Sequence, residues 1–191
     1  LGFLLTSFGY ANQNALIYGK KQSGVFPLWS FVLFLPFFIY ALGIWYVVQL
    51  FIREDAFNWI TENLVIGRRL SGSENPDGIK NYVDLTAEFW EPGAIVKKYN
   101  YVSLPILDGE VPSLQQINEA LALLTHGKTY IHCGQGHGRT GLFATLVLLK
   151  QGIVSSPEEA IALLKSKRPK LSLTAKQKQF VCTVTEQKLL S

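Results

Sequence analysis

Methionine is absent from this 191-residue chain, and cysteine and histidine are scarce, with two and three copies. Cys133 and Cys182 alone provide no disulfide framework, which argues against a small extracellular scaffold. Cys182 falls in an apolar helix pattern and is expected in the core. The carboxylates and histidines do not recur at metal-ligand spacing, so we expect no metal and no cofactor. Because the chain lacks methionine and starts at Leu1, we also expect it to be part of a longer product.

Charged residues are missing from a long stretch near the N-terminus. None occurs between Gln22 and Ile52, and residues 25–52 are dense in Phe, Leu, Ile, Val, Trp and Tyr. A span of about 20 apolar residues suffices to cross a bilayer, so we predict a transmembrane helix over residues 25–52. Pro36 is expected to kink it, which membrane helices tolerate. A cleaved signal peptide or a buried helix of a soluble protein is the alternative, although both are usually shorter.

Residues 1–19 also carry no charge, and the first ten are mostly apolar. We expect them to be the end of an earlier membrane helix, with residues 18–24 as the turn of a helical hairpin. A segment lying along the membrane surface is the alternative. The sequence thus predicts a membrane anchor over residues 1–52, with one or two helices, followed by a second domain over residues 53–191.

The second domain, 139 residues long, is large enough for a hydrophobic core. Strand patterns at 63–66, 81–85, 99–106 and 129–133 alternate with helix patterns, and the apolar run 142–149 predicts a buried helix. Three helix starts are marked by capping-box patterns, namely Ser113-x-x-Gln116, Ser156-Pro-Glu-Glu159 and Thr174-x-x-Gln177. Gly127 is expected to stop the first of these helices. The alternation predicts an α/β fold with a central, mainly parallel sheet flanked by helices.

The segment His132-Cys-Gly-Gln-Gly-His-Gly-Arg-Thr-Gly141 combines a thiol with a glycine-rich loop. Glycines at 134, 136 and 138 would let several N–H groups point at one anion. The planar guanidinium of Arg139 matches two phosphate oxygens. Since these donors and the start of the next helix also stabilise a thiolate, Cys133 is a candidate nucleophile toward phosphorus.

A departing ester oxygen needs a proton, and Asp108 is the best candidate for the acid. It lies in Leu-Pro-Ile-Leu-Asp-Gly at residues 104–109, after a strand pattern, on a loop that could reach over the glycine-rich segment. Asp-Gly is also a common turn pair. Glu110 is the next candidate, and Asp84 is a poorer one because it lies within a strand pattern.

His-Cys-x-x-Gly-x-x-Arg-Thr-Gly resembles the signature loop of the cysteine-based protein tyrosine phosphatases, and the Pro-x-x-Asp loop upstream resembles their dual-specificity branch. The resemblance covers roughly residues 57–188. It implies that Cys133 is the nucleophile, that Arg139 binds phosphate and stabilises the transition state, and that Asp108 is general acid and then base. It also implies that Thr140 helps the thiolate leave, that His132 orients the loop, and that the phosphate is held by Gly134, Gln135, Gly136, His137, Gly138 and Arg139.

Two simpler interpretations of the loop stay open: a glycine-rich turn around a buried cysteine, and a non-catalytic phosphate-binding module. For an enzyme, the variable loop positions Gly134, Gln135, His137 and Gly138 contain no lysine. This favours a simple phosphomonoester, so we expect a protein phosphatase acting on phosphotyrosine and/or phosphoserine/threonine. The membrane anchor favours instead a phospholipid substrate, such as phosphatidylglycerophosphate or a phosphoinositide. His137 either carries partial charge or simply faces solvent.

Localisation follows from the thiol, because a reactive cysteine must stay reduced. We therefore expect a membrane protein whose catalytic domain faces the cytoplasm. The positive-inside rule does not decide the orientation, since Lys20 and Lys21 on one flank nearly balance Arg53, Arg68 and Arg69 on the other. No basic stripe with interleaved aromatic residues indicates nucleic-acid binding. A cationic cluster is either a solvated face or a contact with anionic lipid: Lys165, Lys167, Arg168, Lys170, Lys176 and Lys178.

Overall fold

A mixed five-stranded sheet in the order β1-β2-β5-β3-β4 forms the centre of the second domain. Its strands are β1 (Phe57–Trp59), β2 (Leu64–Arg68), β3 (Ile79–Thr86), β4 (Asn100–Ile106) and β5 (Lys128–Cys133). β1 pairs antiparallel with β2, and the remaining neighbours are parallel. The predicted α/β fold with a mainly parallel sheet is therefore confirmed, with β1 as an additional edge strand that the sequence analysis missed.

The computed structural model describes residues 1–51, 54–70 and 74–187. The last residue of the predicted membrane helix, Ile52, lies outside the described residues, and so do Arg53 at the start of the predicted second domain and its end at Ser191.

Helices cover both faces of the sheet, so the central strands are almost fully buried. They are α3 (Gly93–Lys98), α4 (Leu114–Ala122), α5 (Gly138–Lys150), α6 (Pro157–Lys167) and α7 (Ala175–Glu186). The predicted apolar helix is α5, which is buried from Arg139 to Leu148. The core expectation for Cys182 is wrong, because this residue is partly exposed on α7 beside Glu158.

Two of the three predicted capping boxes close, at Ser113 with Gln116 and at Thr174 with Gln177. The third does not, because the Glu159 carboxylate accepts from the N–H of Ser155, although the Ser156 hydroxyl accepts from the N–H of Glu159. α4 ends at Ala122, so Gly127 does not stop that helix and instead lies in the turn before β5.

Two helices precede the sheet: α1 (Gly2–Ala11) and, after a 3-10 turn at Ala15–Tyr18, α2 (Leu28–Phe51). They pack together through aromatic rings, with Phe3 edge-on to Phe37 and Tyr40 at centroid distances of 6.1 and 5.9 Å. With 24 residues and a mean hydropathy of 2.2 in its most apolar window, α2 is long and apolar enough to cross a membrane. Whether it does so stays a prediction.

One face of α2 lies along the second domain. Phe31 contacts Trp90, Phe38 packs with Ala87 and Leu107, and Gln49 bonds to Gln135. At 1.5 Å per residue these contacts extend over about 27 Å of helix. The opposite face is an exposed apolar stripe, formed by Leu28, Val32, Leu35, Ile39, Tyr46, Val47 and Leu50.

Lys20, in the segment between the two helices, is buried. Its Nζ donates to Asp84 Oδ2 at 2.6 Å and to the Thr86 carbonyl at 2.7 Å, and both charged side chains are fully enclosed. Lys20 is therefore an ion-pair partner of the second domain, and counting it as a free loop charge in the topology argument is wrong. Asp84 is likewise too enclosed to serve as the acid.

Candidate active site

The turn from β5 into α5 places the candidate nucleophile at the carboxyl end of the sheet, where open α/β folds bind ligands. Cys133 is the last residue of β5, and α5 begins at Gly138. A cavity of about 460 Å³ opens there. Among its lining residues are Asp108, Cys133, Gly134, Gln135, His137, Gly138 and Arg139. The fold thus brings the predicted nucleophile, the predicted acid and all of the predicted phosphate ligands except Gly136 to one cavity.

The carbonyls of the glycine-rich loop are held by donors from other segments of the chain. The Gly134 carbonyl accepts from Trp45 Nε1 at 2.9 Å and from the N–H of Arg69 at 3.2 Å. Arg168 donates to the carbonyls of Gln135 and Gly136, each at 3.0 Å. Three successive carbonyls held in this way fix the peptide planes of the loop, and an anion-binding nest needs such fixed planes to present its N–H groups.

Only one of the three loop glycines has a backbone conformation that requires glycine. Gly136 has φ +74°, and a Cβ there would overlap the carbonyl of Gly67. At Gly134 and Gly138 the constraint is packing, since a Cβ would press against Phe89 or Gln177. The expectation that all three serve the curl of the loop is therefore only partly right.

Arg139 is buried and clamped by Glu88. Its Nη1 and Nη2 donate to the two carboxylate oxygens of Glu88 at 2.8 and 2.7 Å, and Nη1 also donates to the Ile106 carbonyl. Burial opposes the charge, but Glu88, and then Cys133 and Asp108, raise the pKa of Arg139 well above its usual value. Within the described part of the chain, Nε has no hydrogen-bond partner. Nε is also buried, so it is an unpaired donor enclosed beside the loop.

Glu88 is a site residue that sequence reasoning missed. It lies just beyond the carboxyl end of β3, the strand paired with β5. Neighbouring parallel strands end at one edge of a sheet, so the position after β3 was a signal that could have found it.

Asp108 lies at the rim of the cavity, with Oδ1 3.3 Å from Arg139 Nη2 and a side chain that is 76% exposed. The residues around it are fixed. Leu107 is buried, and the Gly109 carbonyl accepts from Thr174 Oγ1 at 3.2 Å. The fallback acid Glu110 is paired with Lys176. Position therefore favours Asp108 over Glu110.

His132 and Thr140 lie beneath the loop, and neither lines the cavity. Burial lowers the pKa of His132 to about 4 against the opposing effect of Asp84, so its ring is neutral near pH 7. Its Nδ1 is 3.4 Å from the Cys133 carbonyl. Thr140 Oγ1 is buried and makes no hydrogen bond to any described residue, Cys133 included. The roles assigned to both residues stay predictions.

Arg168 is not part of a solvated face, contrary to one reading of the cationic cluster. Only 1% of it is exposed, and it supports the loop from below. Its Nη2 also lies 3.3 Å from Glu54 Oε2, and the same oxygen is 2.8 Å from His137 Nε2. His137 is thus tied to a carboxylate, so the interpretation of a loop histidine that simply faces solvent is wrong.

Three potential metal ligands do come together, although their sequence spacing did not suggest it. Asp84, Glu91 and His132 place one ligand atom each within 4.8 Å of one another. Lys20 and Arg69 already approach the two carboxylates at 2.6 and 3.3 Å, and two cations at this position do not suit a metal ion. Burial, and then Asp84, raise the pKa of Glu91 to about 8. The expectation of no metal stays a prediction.

The N-terminal helices form one side of the cavity. Tyr10 of α1 and five residues of α2 line it: Phe37, Tyr40, Ala41, Ile44 and Trp45. Sequence reasoning treated this segment as an anchor and missed its contribution to the site. A larger cavity of about 760 Å³ lies at the amino ends of β2 and β5, around Asn63 and Thr129. None of its lining residues is a cysteine.

Comparison with known proteins agrees with this geometry. Residues 77–181, more than half of the chain, match the family described as "Swiss Army Knife protein, DSP-PTPase phosphatase domain". A protein of Invertebrate iridescent virus 6, named for a tyrosine phosphatase activity, is 35% identical over 96 residues, which cover 44% of this chain and 36% of that protein. A similarly named protein of Invertebrate iridescent virus 3 is 28% identical over 127 residues, covering 59% and 52%. The alignments thus span about a third to half of these relatives.

Solved structures show the same fold. Tk-PTP in its active form superposes with a TM-score of 0.61 at 23% identity, covering 69% of this chain and 97% of that one. PTPMT1 in complex with PI(5)P gives 0.57 at 20% identity, covering 70% and 96%. At such identities the likeness shows the fold alone. Together with the family match and the Cys133–Arg139 loop, it establishes that this chain belongs to the dual-specificity branch of the cysteine-based protein tyrosine phosphatases.

Proposed function

We propose that this protein is a cysteine-dependent phosphomonoester hydrolase that works through a phosphocysteine intermediate. One observation carries the proposal: a single cavity is lined by the Cys133 thiol, by Arg139 and by the Asp108 carboxyl. Arg139 is clamped so that its Nε has no partner among the described residues. Nucleophile, oxyanion ligand and proton donor, the three requirements of the reaction, are therefore met in one place.

In the first step, the Cys133 thiolate attacks phosphorus in line with the leaving oxygen. The S–P bond forms as the P–O ester bond breaks, and Asp108 donates its proton to the departing oxygen. The loop N–H groups and Arg139 bind the equatorial oxygens, where negative charge is concentrated in the transition state. Because Glu88 fixes the guanidinium beforehand, little reorganisation is needed.

In the second step, Asp108 removes a proton from water, which attacks the phosphocysteine and releases inorganic phosphate. The S–P bond breaks, and the sulfur departs as a thiolate. We assign the assistance of this departure to the Thr140 hydroxyl, which is buried at the start of α5 and has no hydrogen-bond partner among the described residues.

A phosphorylated protein is the substrate that the loop supports best. The variable positions carry no lysine for a second phosphate group, and the one histidine among them is paired with Glu54. The wall formed by Tyr10, Phe37 and Tyr40 offers aromatic surface to the organic part of the ester. These features suit the single phosphate of phosphotyrosine, with phosphoserine and phosphothreonine as smaller esters of the same kind.

A phospholipid monoester is the second candidate, and the exposed apolar stripe of α2 supports it. This stripe lies on the helix that also lines the cavity, so a bilayer in contact with it would bring lipid phosphates near Cys133. We place the protein at a membrane through α2, with the reduced thiol on the cytoplasmic side. Membranes to which the protein is bound should retain the full chain after a wash with alkaline carbonate.

The deciding experiment compares wild type with Cys133→Ser in detergent on an aryl phosphate, phosphopeptides and phospholipids. Loss of all turnover in the variant, and inhibition of wild type by vanadate, are expected. Faster turnover of phosphopeptides would support the protein substrate, and faster turnover of phospholipids would select the second candidate. Wild-type hydrolysis by Cys133→Ser would refute the mechanism. Tight phosphopeptide binding without turnover by wild type would identify a non-catalytic phosphate reader.

A further inference from the structure

Three segments that build the active site are each in contact with the N-terminal helices. The glycine-rich loop meets α2 through Trp45 and Gln49. The acid loop meets them through Leu107, which belongs to one buried cluster with Tyr18, Phe34 and Phe38. The segment carrying Glu88 meets the same aromatic group through Ala87.

The contact at Trp45 is the most specific of the three. The side chain is 3% exposed, and its indole N–H donates to the Gly134 carbonyl at 2.9 Å. Gly134 directly follows the nucleophile. A carbonyl held by this bond constrains the peptide plane it belongs to, and with it the N–H of Gln135, which points in the opposite direction in a trans peptide.

The surroundings of the indole make a rotation of Trp45 costly. The guanidinium carbon of Arg69 lies 5.7 Å from the centroid of the Trp45 ring and 5.6 Å from that of the Phe89 ring. The N–H of Arg69 also donates to the Gly134 carbonyl, and its Nη2 donates to the Trp90 carbonyl. The indole, the guanidinium and the loop therefore form one packed unit.

A buried ion pair also holds the N-terminal helices on the second domain. Lys20 Nζ lies 2.6 Å from Asp84 Oδ2. Without Asp84, Lys20 would be a buried cation with no opposite charge, which is costly. The N–H of Glu91 donates to the Gly24 carbonyl at 3.0 Å, next to the same ion pair. Both contacts fix the segment that leads into α2.

We propose that the N-terminal helices are a working part of the active site, in which Trp45 is a positioning residue that holds the phosphate loop in its anion-binding conformation. The inference rests on the proposed phosphatase function and deepens it, since catalysis would depend on α2 staying docked. A helix that left the domain to cross the bilayer would lose the contacts spread from Phe31 to Gln49.

The test substitutes Trp45→Phe in the full chain in detergent, which keeps an aromatic ring but removes the N–H and part of the indole's volume. We expect kcat/KM for an aryl phosphate to fall about 10-fold, the value of one hydrogen bond, and the inhibition constant of inorganic phosphate to rise by a similar factor. Tm should fall as well, because the smaller ring leaves part of the buried site unfilled, so both constants are measured well below the Tm of the variant. Trp29→Phe is the matched control, because Trp29 lies on the same helix, is 49% exposed and does not line the cavity. It should behave as wild type.

Wild-type kcat/KM and phosphate inhibition in folded Trp45→Phe would overturn the proposal. Should Trp45→Phe fail to fold, Gln49→Leu gives the same test, because Gln49 Nε2 donates to Gln135 Oε1 at 2.8 Å. A two- to threefold loss of phosphate affinity would then support the proposal, and unchanged affinity would overturn it. Cys133→Ser is measured in parallel, so that failure of the phosphatase function itself is recognised separately.

Discussion

Glu88 holds Arg139 with both carboxylate oxygens, at 2.8 Å from Nη1 and 2.7 Å from Nη2. This bidentate pair fixes the plane of the guanidinium. The third nitrogen, Nε, has no hydrogen-bond partner among the described residues. The orientation of the Arg139 guanidinium, which we propose to bind phosphate, thus depends on Glu88, which itself lines the cavity.

Glu88→Gln tests this dependence, because the amide keeps the shape of the side chain but loses its charge and one acceptor. Misplacement of Arg139 should lower kcat/KM by about 10- to 100-fold and weaken phosphate inhibition by a comparable factor. Steady-state kinetics with an aryl phosphate measures both. The exposed Glu62→Gln is the matched control and should leave both constants unchanged.

Asp108→Asn tests the proton donor. Turnover of a substrate with a poor leaving group should fall by about 10² to 10⁴, whereas an aryl phosphate with a good leaving group should be affected much less. Glu110→Gln is the comparison, and a larger defect in that variant than in Asp108→Asn would mean that the acid was assigned to the wrong carboxyl.

Removal of one partner of the buried Lys20–Asp84 pair should be costly. Lys20→Met leaves the Asp84 carboxylate without its cation, and loss of about 3–5 kcal/mol of unfolding free energy is expected. Adding Asp84→Asn should recover part of that loss, because the double variant buries no unpaired charge. Thermal unfolding in detergent measures this, with the exposed Lys21→Met as control. Equal stability of Lys20→Met and wild type would show that the segment is not docked.

Glu91 should make stability depend on pH. Its pKa is raised to about 8 in the fold, mainly by burial, from an ordinary value of 4.5. The protonated form stabilises the fold fully below pH 4.5, and this contribution is lost as the pH rises toward 8, by up to about 1.4 kcal/mol per pH unit.

Glu91→Gln lacks this titration, so its Tm relative to wild type should rise between pH 5 and pH 8. The neutral His132, whose pKa is lowered to about 4, destabilises the fold as the pH falls below 6.5, and its Nε2 lies 3.9 Å from Glu91 Oε1. The comparison is therefore read between pH 6.5 and pH 8, where only the Glu91 contribution is expected to change. A Tm difference that stays constant over this range would contradict the assignment.

Local patterns in the sequence were sufficient for much of the fold. Alternating strand and helix patterns predicted β2 to β5 and the buried helix α5, and the boxes at Ser113 and Thr174 formed as expected. Strand β1 was missed because it is three residues long and pairs antiparallel at the edge. The box at Ser156 did not form because the Glu159 carboxylate accepts from the N–H of Ser155 and not from that of Ser156. The spacing of the residues does not distinguish these two neighbouring donors.

The site divides in the same way. Cys133 and Arg139 lie in one short glycine-rich segment, and Asp108 lies in a loop segment after a strand pattern. All three candidates could therefore be named from the sequence. Glu88, Arg168 and Trp45 lie 51, 29 and 94 residues from Arg139 and bear no local mark of their role. Their contacts arise only when strand ends, helix ends and the N-terminal helices converge.

By itself, the sequence determined the chemistry: a thiol, a curled glycine-rich backbone and a guanidinium at short range, since local conformational preferences act over a few residues. Only the tertiary structure decided how that chemistry is supported. Buried charges such as Lys20 and Arg139 must find partners wherever the fold brings opposite charge within reach, and in this protein it brings Asp84 and Glu88.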